Sequence, residues 1–357
     1  MKRIVLTGGG TTGHVAVNVS LIPHLQEKGW SISYIGSYKG IEKELIEPLE
    51  GIDYHAISTG KLRRYLSVEN VKDVFRVLKG IHQAKKILKK LKPDIVFSKG
   101  GFVSVPVVLA AKQMKIPVVT HESDRSPGLA NRIGLPIAKK VCVTFEETIN
   151  HLQGDKGVFV GPVIREAIFN GSRDAGRALV GAQTSKPILL VMGGSQGAGS
   201  MNTFVRKKLT ALTEQFHVVH LCGKGKVDEM LTDVTNYTQF EYVNKELPDV
   251  LAATDLVMTR AGANSIFEGI ALRKPMLLVP LPLSQSRGDQ IENAEYFQQK
   301  GFVHVVGDEV LEKEPDRAFA ALMKTYEARY ELKETLRSET SENGVHKLVG
   351  VLEEVAR

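Results

Sequence analysis

Short apolar runs alternate with longer amphipathic stretches along the whole chain. The runs are short enough for buried parallel strands, and the stretches between them repeat apolar residues at helical spacing. In the first half the runs predict strands at Arg3–Thr7, Ser31–Gly36, Tyr54–Ile57, Asp94–Ser98, Pro117–His121, Lys140–Thr144 and Val158–Val160. In the second half they predict strands at Ile188–Met192, His217–Leu221, Thr238–Tyr242, Leu256–Thr259, Met276–Pro280 and Val303–Val306. This alternation predicts an α/β protein with parallel sheets covered on both faces.

The pattern divides the chain into two similar halves. Gly161-Pro162 interrupts the alternation, and the scheme of strand and helix then starts again. From Pro315 to the end the pattern is helical throughout. We therefore expect two Rossmann-like domains, 1–163 and 164–339, whose parallel sheets face each other across a cleft. A last helix, at about 340–357, is expected to pack back on the first domain.

Composition and charge narrow the class of protein. Hydrophobic residues make up 43% and charged residues 24% of the chain, which is typical of a globular protein with hydrophobic cores. Cys142 and Cys222 fit neither a disulfide nor a metal-site spacing, so we expect a reducing compartment. No signal peptide is evident, and no run approaches the roughly 18–20 apolar residues of a spanning helix. The net charge of +7 fits nucleic acid, anionic lipid or a phosphorylated substrate.

Two glycine-rich turns follow predicted strands, one in each half. The first is Gly8–His14 (GGGTTGH), and the second is Gly193–Gly197 (GGSQG). Each offers backbone N–H groups and a helix N-terminus, a combination that attracts phosphate. The second turn lacks a Walker-loop lysine and the pattern of a hydrolase nucleophile elbow. The strand after the first turn ends without the carboxylate that NAD binding needs, so an oxidoreductase is disfavoured.

Three residues are candidates for specific chemistry, and each has a second interpretation. His14 starts a helix whose dipole favours a neutral imidazole, so it is either a general base or a helix-capping residue. Arg165 lies in the linker and either reaches a phosphate or base or is a solvated surface arginine. Glu268 lies two turns into the helix after Arg260, and is either a ligand of ribose hydroxyls or a solvated carboxylate.

Further polar groups follow the other predicted strands. Lys99–Ser104 is a third glycine-rich turn, and Glu122 and Asp124 follow the next strand, at the edge where open sheets bind ligands. N-capping of the following helix is the alternative for both carboxylates. No metal site is expected, because no further ligand cluster lies near Glu122 in sequence. Gln285–Ala294 follows a stiff proline turn and is a candidate clamp for sugar hydroxyls.

The predicted helix Val68–Leu91 is basic and amphipathic. Val71, Phe75 and Leu78 form one stripe, which basic residues flank. The stripe is either the core face of a helix that covers its sheet or a surface that lies on an anionic bilayer. The sequence alone leaves both interpretations open.

Taken together, these motifs resemble those of the MurG family of GT-B glycosyltransferases. The resemblance runs in order over essentially the whole chain and rests on Gly8–His14, Lys99–Ser104, His121–Glu122, Gly193–Gly197, Arg260–Gly262 and Asp289–Ala294. It implies an inverting hexosyltransferase of peptidoglycan synthesis. UDP-N-acetylglucosamine would donate N-acetylglucosamine to the 4-hydroxyl of the N-acetylmuramoyl unit of lipid I, giving lipid II and UDP.

The resemblance also implies a place and partners. The enzyme would be a peripheral protein on the cytoplasmic face of the cell membrane, acting in cell wall biogenesis, cell shape and cell division. Its partners would be UDP-N-acetylglucosamine, lipid I and anionic phospholipid, with other wall-synthesis and division proteins as candidates. No nucleic acid, cofactor or metal is expected.

The resemblance assigns roles to individual residues. His14 would take the proton from the acceptor hydroxyl, Ser195 would hold the diphosphate, and Glu268 would bind the ribose. The implied donor-binding set is Thr11, Thr12, Gly13, Arg165, Gly194, Ser195, Gln196, Val243, Ala263, Asn264, Ser265, Glu268, Gln290 and Asn293. The stripe of Val71, Phe75 and Leu78 falls where the family is thought to meet the inner membrane.

Two residues depart from the family pattern, and two other functions compete. Thr12 stands where the family usually has glycine, and Asp124 stands where it often has asparagine. An ionised carboxylate donates no hydrogen bond, so Asp124 is not expected to replace that asparagine at the sugar. The competing functions are another lipid-directed GT-B enzyme, such as a diacylglycerol glycosyltransferase, and a non-catalytic nucleotide-binding scaffold. The presence of His14 and Glu268 disfavours the scaffold.

Overall fold

The computed structural model describes residues 1–60, 68–194, 198–338 and 342–356, with only the backbone at 68–71. The chain forms two compact units. Unit 1 comprises Met1–Arg165 and Glu342–Arg357, and unit 2 comprises Glu166–Ser341. Each unit contains one parallel sheet with helices between successive strands, so the predicted α/β class is confirmed.

Unit 1 is built on a seven-stranded parallel sheet. Its strands are β1 (Arg3–Thr7), β2 (Ser31–Ser37), β3 (Ile52–Ile57), β4 (Ile95–Ser98), β5 (Val118–Glu122), β6 (Lys140–Val143) and β7 (Gly157–Phe159). Its first helices are α1 (Thr12–Glu27), α2 (Ile41–Ile46), α3 (Val68–Leu91), α4 (Ser104–Gln113) and α5 (Leu129–Gly134). The spatial order is β3-β2-β1-β4-β5-β6-β7, the doubly wound order in which successive strands extend outward from β1 and β4.

Unit 2 repeats the scheme with six parallel strands. They are β8 (Ile188–Met192), β9 (His217–Leu221), β10 (Tyr237–Phe240), β11 (Leu256–Thr259), β12 (Met276–Leu278) and β13 (His304–Val305), in the order β10-β9-β8-β11-β12-β13. The helices are α6 (Arg173–Leu179), α7 (Gly199–Lys207), α8 (Leu209–Gln215), α9 (Leu247–Ala253), α10 (Ala263–Ala271), α11 (Asp289–Gln299), α12 (Asp308–Lys313), α13 (Pro315–Glu327) and α14 (Arg329–Arg337).

The last helix, α15 (Val345–Val355), packs on α1 of unit 1. Its apolar face, which includes Val345, Leu348 and Leu352, joins the core cluster of β1, β4 and α1. Just before the helix, the side chain of Asn343 exchanges two hydrogen bonds with the backbone of Ile164, at 3.1 and 2.8 Å. These contacts attach the last helix to unit 1.

Besides small differences in strand bounds, two helices depart from what their sequence patterns predict. The sequence pattern of Met201–Leu212 predicts one helix, and this prediction is wrong, because the structure has a break between α7 and α8 at Lys208. The φ of −106° and ψ of 15° at Lys208 leave the helical region. The break lets Leu209 and Leu212 pack into the core of unit 2. The sequence pattern of Gly128–Ala138 predicts another helix, which is too long, since α5 ends at Gly134. Each expected strand has an observed counterpart.

Candidate functional site

Three turns of unit 1 lie side by side at the carboxyl edge of its sheet. Thr7 at the end of β1 is in register with Ser98 at the end of β4, and Ser98 is in register with Thr120 on β5. The turn after β4 packs directly on the first glycine-rich turn, because a Cβ on Gly101 would lie 2.1 Å from the Gly9 oxygen. Gly101 also has a φ of +78°, so both space and backbone conformation require glycine there.

His14 is held by the first glycine-rich turn. Its Nδ1 lies 3.1 Å from the carbonyl oxygen of Gly9 and 3.0 Å from the hydroxyl of Thr11. Because a carbonyl oxygen only accepts, Nδ1 carries the hydrogen and the lone pair of the neutral ring is on Nε2. Thr11 is the N-cap of α1, and its hydroxyl accepts from the backbone N–H of His14. This is the tautomer that a base acting through Nε2 requires.

Glu42, on helix α2, is buried against this turn, and sequence reasoning missed it. One of its carboxylate oxygens accepts from the Gly10 N–H at 3.2 Å, and the other accepts from the Ser37 N–H at 3.1 Å. The side chain is fully buried against the turn. The expectation that the first turn offers its N–H groups to phosphate is therefore wrong at Gly10. No local signal could reveal this contact, because Glu42 belongs to a different helix.

Glu122 holds the segment that leads into α5 but is not itself the N-cap of that helix. Its carboxylate accepts from Asp124 N–H at 3.0 Å, from Gly128 N–H at 2.8 Å and from the Asn131 amide at 2.8 Å. Gly128 is the N-cap of α5. Nearby, burial lowers the pKa of the Lys99 ammonium, while the charges of Glu122 and Asp124 partly raise it. Lys99, Glu122 and Asp124 thus form a group of charged side chains beside the first glycine-rich turn.

The donor-site candidates of unit 2 follow strands that end at one edge of its sheet. Met192 at the end of β8 is in register with Thr259 on β11, and Thr259 is in register with Leu278 on β12. The residues that follow these strands and β10 are Gly194, Val243, Ala263, Asn264, Ser265, Glu268, Gln290 and Asn293. Gly194 is exposed, Ala263 is buried, and the polar side chains of α10 are half-buried. Ser195 and Gln196 lie outside the described residues.

Gln290 and Asn293 connect α11 to the neighbouring loops. The side-chain oxygen of Gln290 accepts from the Leu281 N–H at 3.1 Å, which fixes the loop after β12. The buried side chain of Asn293 donates to the Ala261 carbonyl at 3.2 Å, which fixes the loop after β11. The segment expected to clamp sugar hydroxyls therefore also sets the spacing of the two loops.

A buried ion pair joins the loops of unit 2, and its acidic partner was missed from sequence. Arg260, directly after β11, pairs with Asp308 at the start of α12. The same guanidinium donates to the Ser200 hydroxyl at 3.0 Å and to the Val279 carbonyl at 3.1 Å. All three side chains are at most 9% exposed. The cluster fixes the first turn of α7 against the end of β11.

The remaining donor candidates, Thr11, Thr12, Gly13 and Arg165, belong to unit 1. Thr12 and Gly13 are the first residues of α1, and Arg165 is half-buried at the end of the unit's first segment. These residues therefore belong to the same unit as His14, whereas the nucleotide and sugar candidates of α10 and α11 belong to unit 2.

Helix α3 exposes the apolar side chains that the sequence left open to two interpretations. Phe75 is 68% exposed and Leu78 is 56% exposed, with Val74 beside them at 51%. The core-face interpretation is therefore wrong for Phe75 and Leu78. The core face of α3 is formed instead by residues that include Ala84 and Leu88. The side chain of Val71 lies outside the described residues.

Two parallel sheets in doubly wound order, with glycine-rich turns at their carboxyl edges, are the architecture of nucleotide-binding α/β proteins, a class that includes the GT-B enzymes that use nucleotide sugars. Residues 4–143 match the glycosyltransferase family 28 N-terminal domain, and residues 188–348 match the glycosyltransferase family 28 C-terminal domain. The chain belongs to glycosyltransferase family 28 and, within it, to the MurG family. It is therefore an enzyme of the glycosyltransferase class.

Individual relatives are similar over the full length. The UDP-N-acetylglucosamine–N-acetylmuramyl-(pentapeptide) pyrophosphoryl-undecaprenol N-acetylglucosamine transferase of Oceanobacillus iheyensis is 51% identical over 356 residues, covering 100% of this chain and 99% of its own. The protein of the same name from Lachnoclostridium phytofermentans is 51% identical over 355 residues, covering 99% of each chain. The crystal structure of Acinetobacter baumannii MurG superimposes with a TM-score of 0.73 at 25% identity, covering 99% of this chain and 100% of that one.

Proposed function

We propose that the protein transfers N-acetylglucosamine from UDP-N-acetylglucosamine to the 4-hydroxyl of the N-acetylmuramoyl unit of lipid I, forming lipid II for peptidoglycan. The observation that carries this proposal is the 51% identity, over essentially the whole chain, with a relative named for that transfer. Lipid I and lipid II carry an undecaprenyl chain, so the enzyme would work at a membrane surface, and we place it at the cytoplasmic face of the cell membrane, where a nucleotide sugar is available.

The chemical step is an inverting displacement. The acceptor oxygen attacks C1 of the sugar from the face opposite the diphosphate, and the bond between C1 and the phosphate oxygen breaks. Its electron pair leaves on UDP, while the hydroxyl proton passes to Nε2 of His14. The tautomer set by the Gly9 carbonyl supports this role, because it leaves the basic lone pair on Nε2. Backbone N–H groups of the second glycine-rich turn would stabilise the charge that develops on the diphosphate.

The donor would be held mainly by unit 2. Gly194, Ser195 and Gln196 would cradle the diphosphate, and the backbone near Val243 would face uracil. Ala263, Asn264 and Ser265 would approach the nucleotide at the start of α10, and Glu268 would accept from the ribose hydroxyls. Gln290 and Asn293 would bind the sugar. From unit 1, Arg165 would contact the nucleotide, and Thr11, Thr12 and Gly13 would approach the sugar and acceptor.

The exposed face of α3 would bind the membrane. Phe75 and Leu78 present apolar rings and chains beside the exposed cations Lys72 and Lys79, a combination that binds an anionic bilayer. Among the described residues, no helix combines the length and hydropathy that crossing a membrane requires. Other wall-synthesis and division proteins are further candidate partners at this surface.

Acceptor and donor selectivity test the proposed reaction. Initial transfer rates are measured with a lipid I analogue and with diacylglycerol, each with UDP-N-acetylglucosamine and with UDP-glucose. We expect turnover with the lipid I analogue and the N-acetylated donor, with a product of inverted configuration at C1. A higher rate with diacylglycerol would instead identify the other lipid-directed enzyme. Absence of transfer, with UDP still raising the melting temperature, would identify the scaffold.

Sedimentation with vesicles tests the membrane face. Wild type and the double variant Phe75→Ser/Leu78→Ser are compared on vesicles containing anionic phospholipid. The double variant is expected to lose most vesicle binding, and added salt is expected to weaken vesicle binding by the wild type. Phe169→Ser is the matched control, because Phe169 is also exposed, at 52%, but lies in unit 2. Equal binding by wild type and the double variant would refute the assignment.

A further inference from the structure

One peptide group connects Glu42 to His14. The carbonyl oxygen of Gly9 accepts from Nδ1 of His14 at 3.1 Å, and the N–H of Gly10 donates to Glu42 at 3.2 Å. The Gly9 carbonyl and the Gly10 N–H belong to the same planar amide. The histidine and the buried carboxylate are therefore the two ends of a single hydrogen-bonded chain, with this amide between them.

We propose that Glu42 is a positioning residue for the catalytic base, acting on His14 through the Gly9–Gly10 peptide. This inference rests on the proposed function, in which His14 takes the acceptor proton. In serine hydrolases a carboxylate bonds directly to the histidine, fixes its tautomer and stabilises the imidazolium. Here the same two effects reach the ring through an intervening amide, and no proton moves along the chain.

The surroundings of Glu42 suit this role. Both carboxylate oxygens accept backbone N–H groups, and the Ser37 hydroxyl also donates to the side chain. The carboxylate is fully buried, so solvent does not screen its charge. A hydrogen bond from the Gly10 N–H to an anion polarises the amide and makes the Gly9 oxygen a stronger acceptor for Nδ1–H. The expected consequence is a more basic Nε2.

The packing of the turn also restricts the ring. A Cβ on Gly9 would lie 2.6 Å from the Glu42 carboxylate, and a Cβ on Gly101 would lie 2.9 Å from Nδ1 of His14. Glycine at both positions allows the carboxylate, the amide and the ring to approach one another. Because the Gly9–Gly10 peptide is packed closely on both sides, its orientation determines the orientation of the His14 ring.

Other titratable groups surround the turn. They are Tyr34 on β2, Tyr54 on β3, Lys99 after β4, and Glu122 and Asp124 after β5. Burial raises the pKa of both tyrosines, so they remain protonated at neutral pH. Glu122 and Asp124 lie near the Lys99 ammonium, which opposes their charge. Glu42 differs from these groups because its carboxylate bonds to the amide that holds the ring.

The pH dependence of turnover tests the proposal. Glu42→Gln removes the charge at nearly constant volume, and we expect kcat to fall about 10-fold. Loss of the charge disfavours the imidazolium, so the acid limb of the pH profile should move about half to one unit lower. Glu42→Asp keeps the charge and should retain an acid limb close to that of the wild type.

The matched control is Tyr54→Phe. It removes the hydrogen bond from the Tyr54 hydroxyl to the Ser37 carbonyl, which lies in the same buried cluster but does not involve the carboxylate. We expect this variant to lower the melting temperature and to leave the acid limb unchanged. A folded Glu42→Gln variant with the wild-type pH profile would overturn the proposal, because a purely structural role lowers stability without moving the limb.

A measurement on the wild type does not depend on how the variants fold. In nitrogen-15 NMR spectra His14 should be the Nδ1–H tautomer, and the Gly10 amide resonance should shift with the protonation of the ring. A Nε2–H tautomer of His14, or a Gly10 amide resonance that does not shift when His14 is protonated, would overturn the inference. Because these spectra need no turnover, they separate this inference from the proposed function, which fails if the wild type transfers no sugar.

Discussion

Removing the cation of the buried ion pair in unit 2 should destabilise the protein strongly. Arg260→Met leaves the Asp308 carboxylate, 7% exposed, without its cation. Breaking a buried pair in this way costs about 3–5 kcal/mol, whereas replacing both charges with apolar side chains is close to neutral. Arg260→Met/Asp308→Leu should therefore recover most of the loss, apart from about 1 kcal/mol for the hydrogen bonds of Ser200.

Urea unfolding followed by circular dichroism measures this change. With a total stability of about 5–15 kcal/mol, the single variant should lose about a fifth of it or more. Its melting temperature should fall by about 6–20 °C, because a unit of this size shifts by about 2–4 °C per kcal/mol. An Arg260→Met variant within about 1 kcal/mol of the wild type, or a double variant as unstable as the single one, would refute the reasoning.

The same variant should weaken nucleotide binding. Ser200 lies in the first turn of α7, directly after the second glycine-rich turn, and its hydroxyl donates to Asp308 and accepts from Arg260. Loss of that contact should raise the dissociation constant for UDP, measured by calorimetric titration. Arg173→Met is the control, because its ion pair with Asp255 is half-exposed and should be worth less than about 1 kcal/mol. An unchanged UDP affinity in Arg260→Met would contradict the positional role.

Three further changes test other parts of the structure. Burial lowers the pKa of His220 to about 4, so below about pH 6.5 the unfolded state binds more protons than the folded state. The free energy of unfolding should therefore fall by about 2 kcal/mol between neutral pH and about pH 5. Urea titrations at the two pH values should show a smaller loss for His220→Gln. Gly101→Ala would place a Cβ 2.1 Å from the Gly9 oxygen, so melting curves should show about 1–3 kcal/mol more destabilisation than for Gly181→Ala, which has a φ of +66° but open space. Glu268→Gln should raise the donor KM about 10-fold or more with little change in kcat; an unchanged KM would remove the ribose assignment.

The alternation of strands and helices could be predicted because each strand is a local apolar run. β1, β8, β9 and β11 have the expected bounds, and a glycine follows within three residues of the end of each. The break at Lys208 could not be predicted, because no glycine or proline marks it and the packing of Leu209 and Leu212 decides it. The exposure of Phe75 was equally undecidable, because an amphipathic period does not say which face meets the sheet.

The site could be predicted only as far as it depends on residues close in sequence. His14 was found because it begins a helix after a glycine-rich turn, and its contacts with Gly9 and Thr11 are local. Glu42 and Asp308 were missed because their partners lie on other elements, which only the folded sheets bring together. Neither carboxylate belongs to a recognisable sequence motif, although each contacts a residue that does.

The most direct measurement is the transfer rate of the His14→Ala variant with a lipid I analogue and UDP-N-acetylglucosamine at saturation. The account predicts a fall in kcat of about 100-fold or more, with donor KM and melting temperature close to those of the wild type. An unchanged kcat would contradict the claim that this histidine accepts the acceptor's proton.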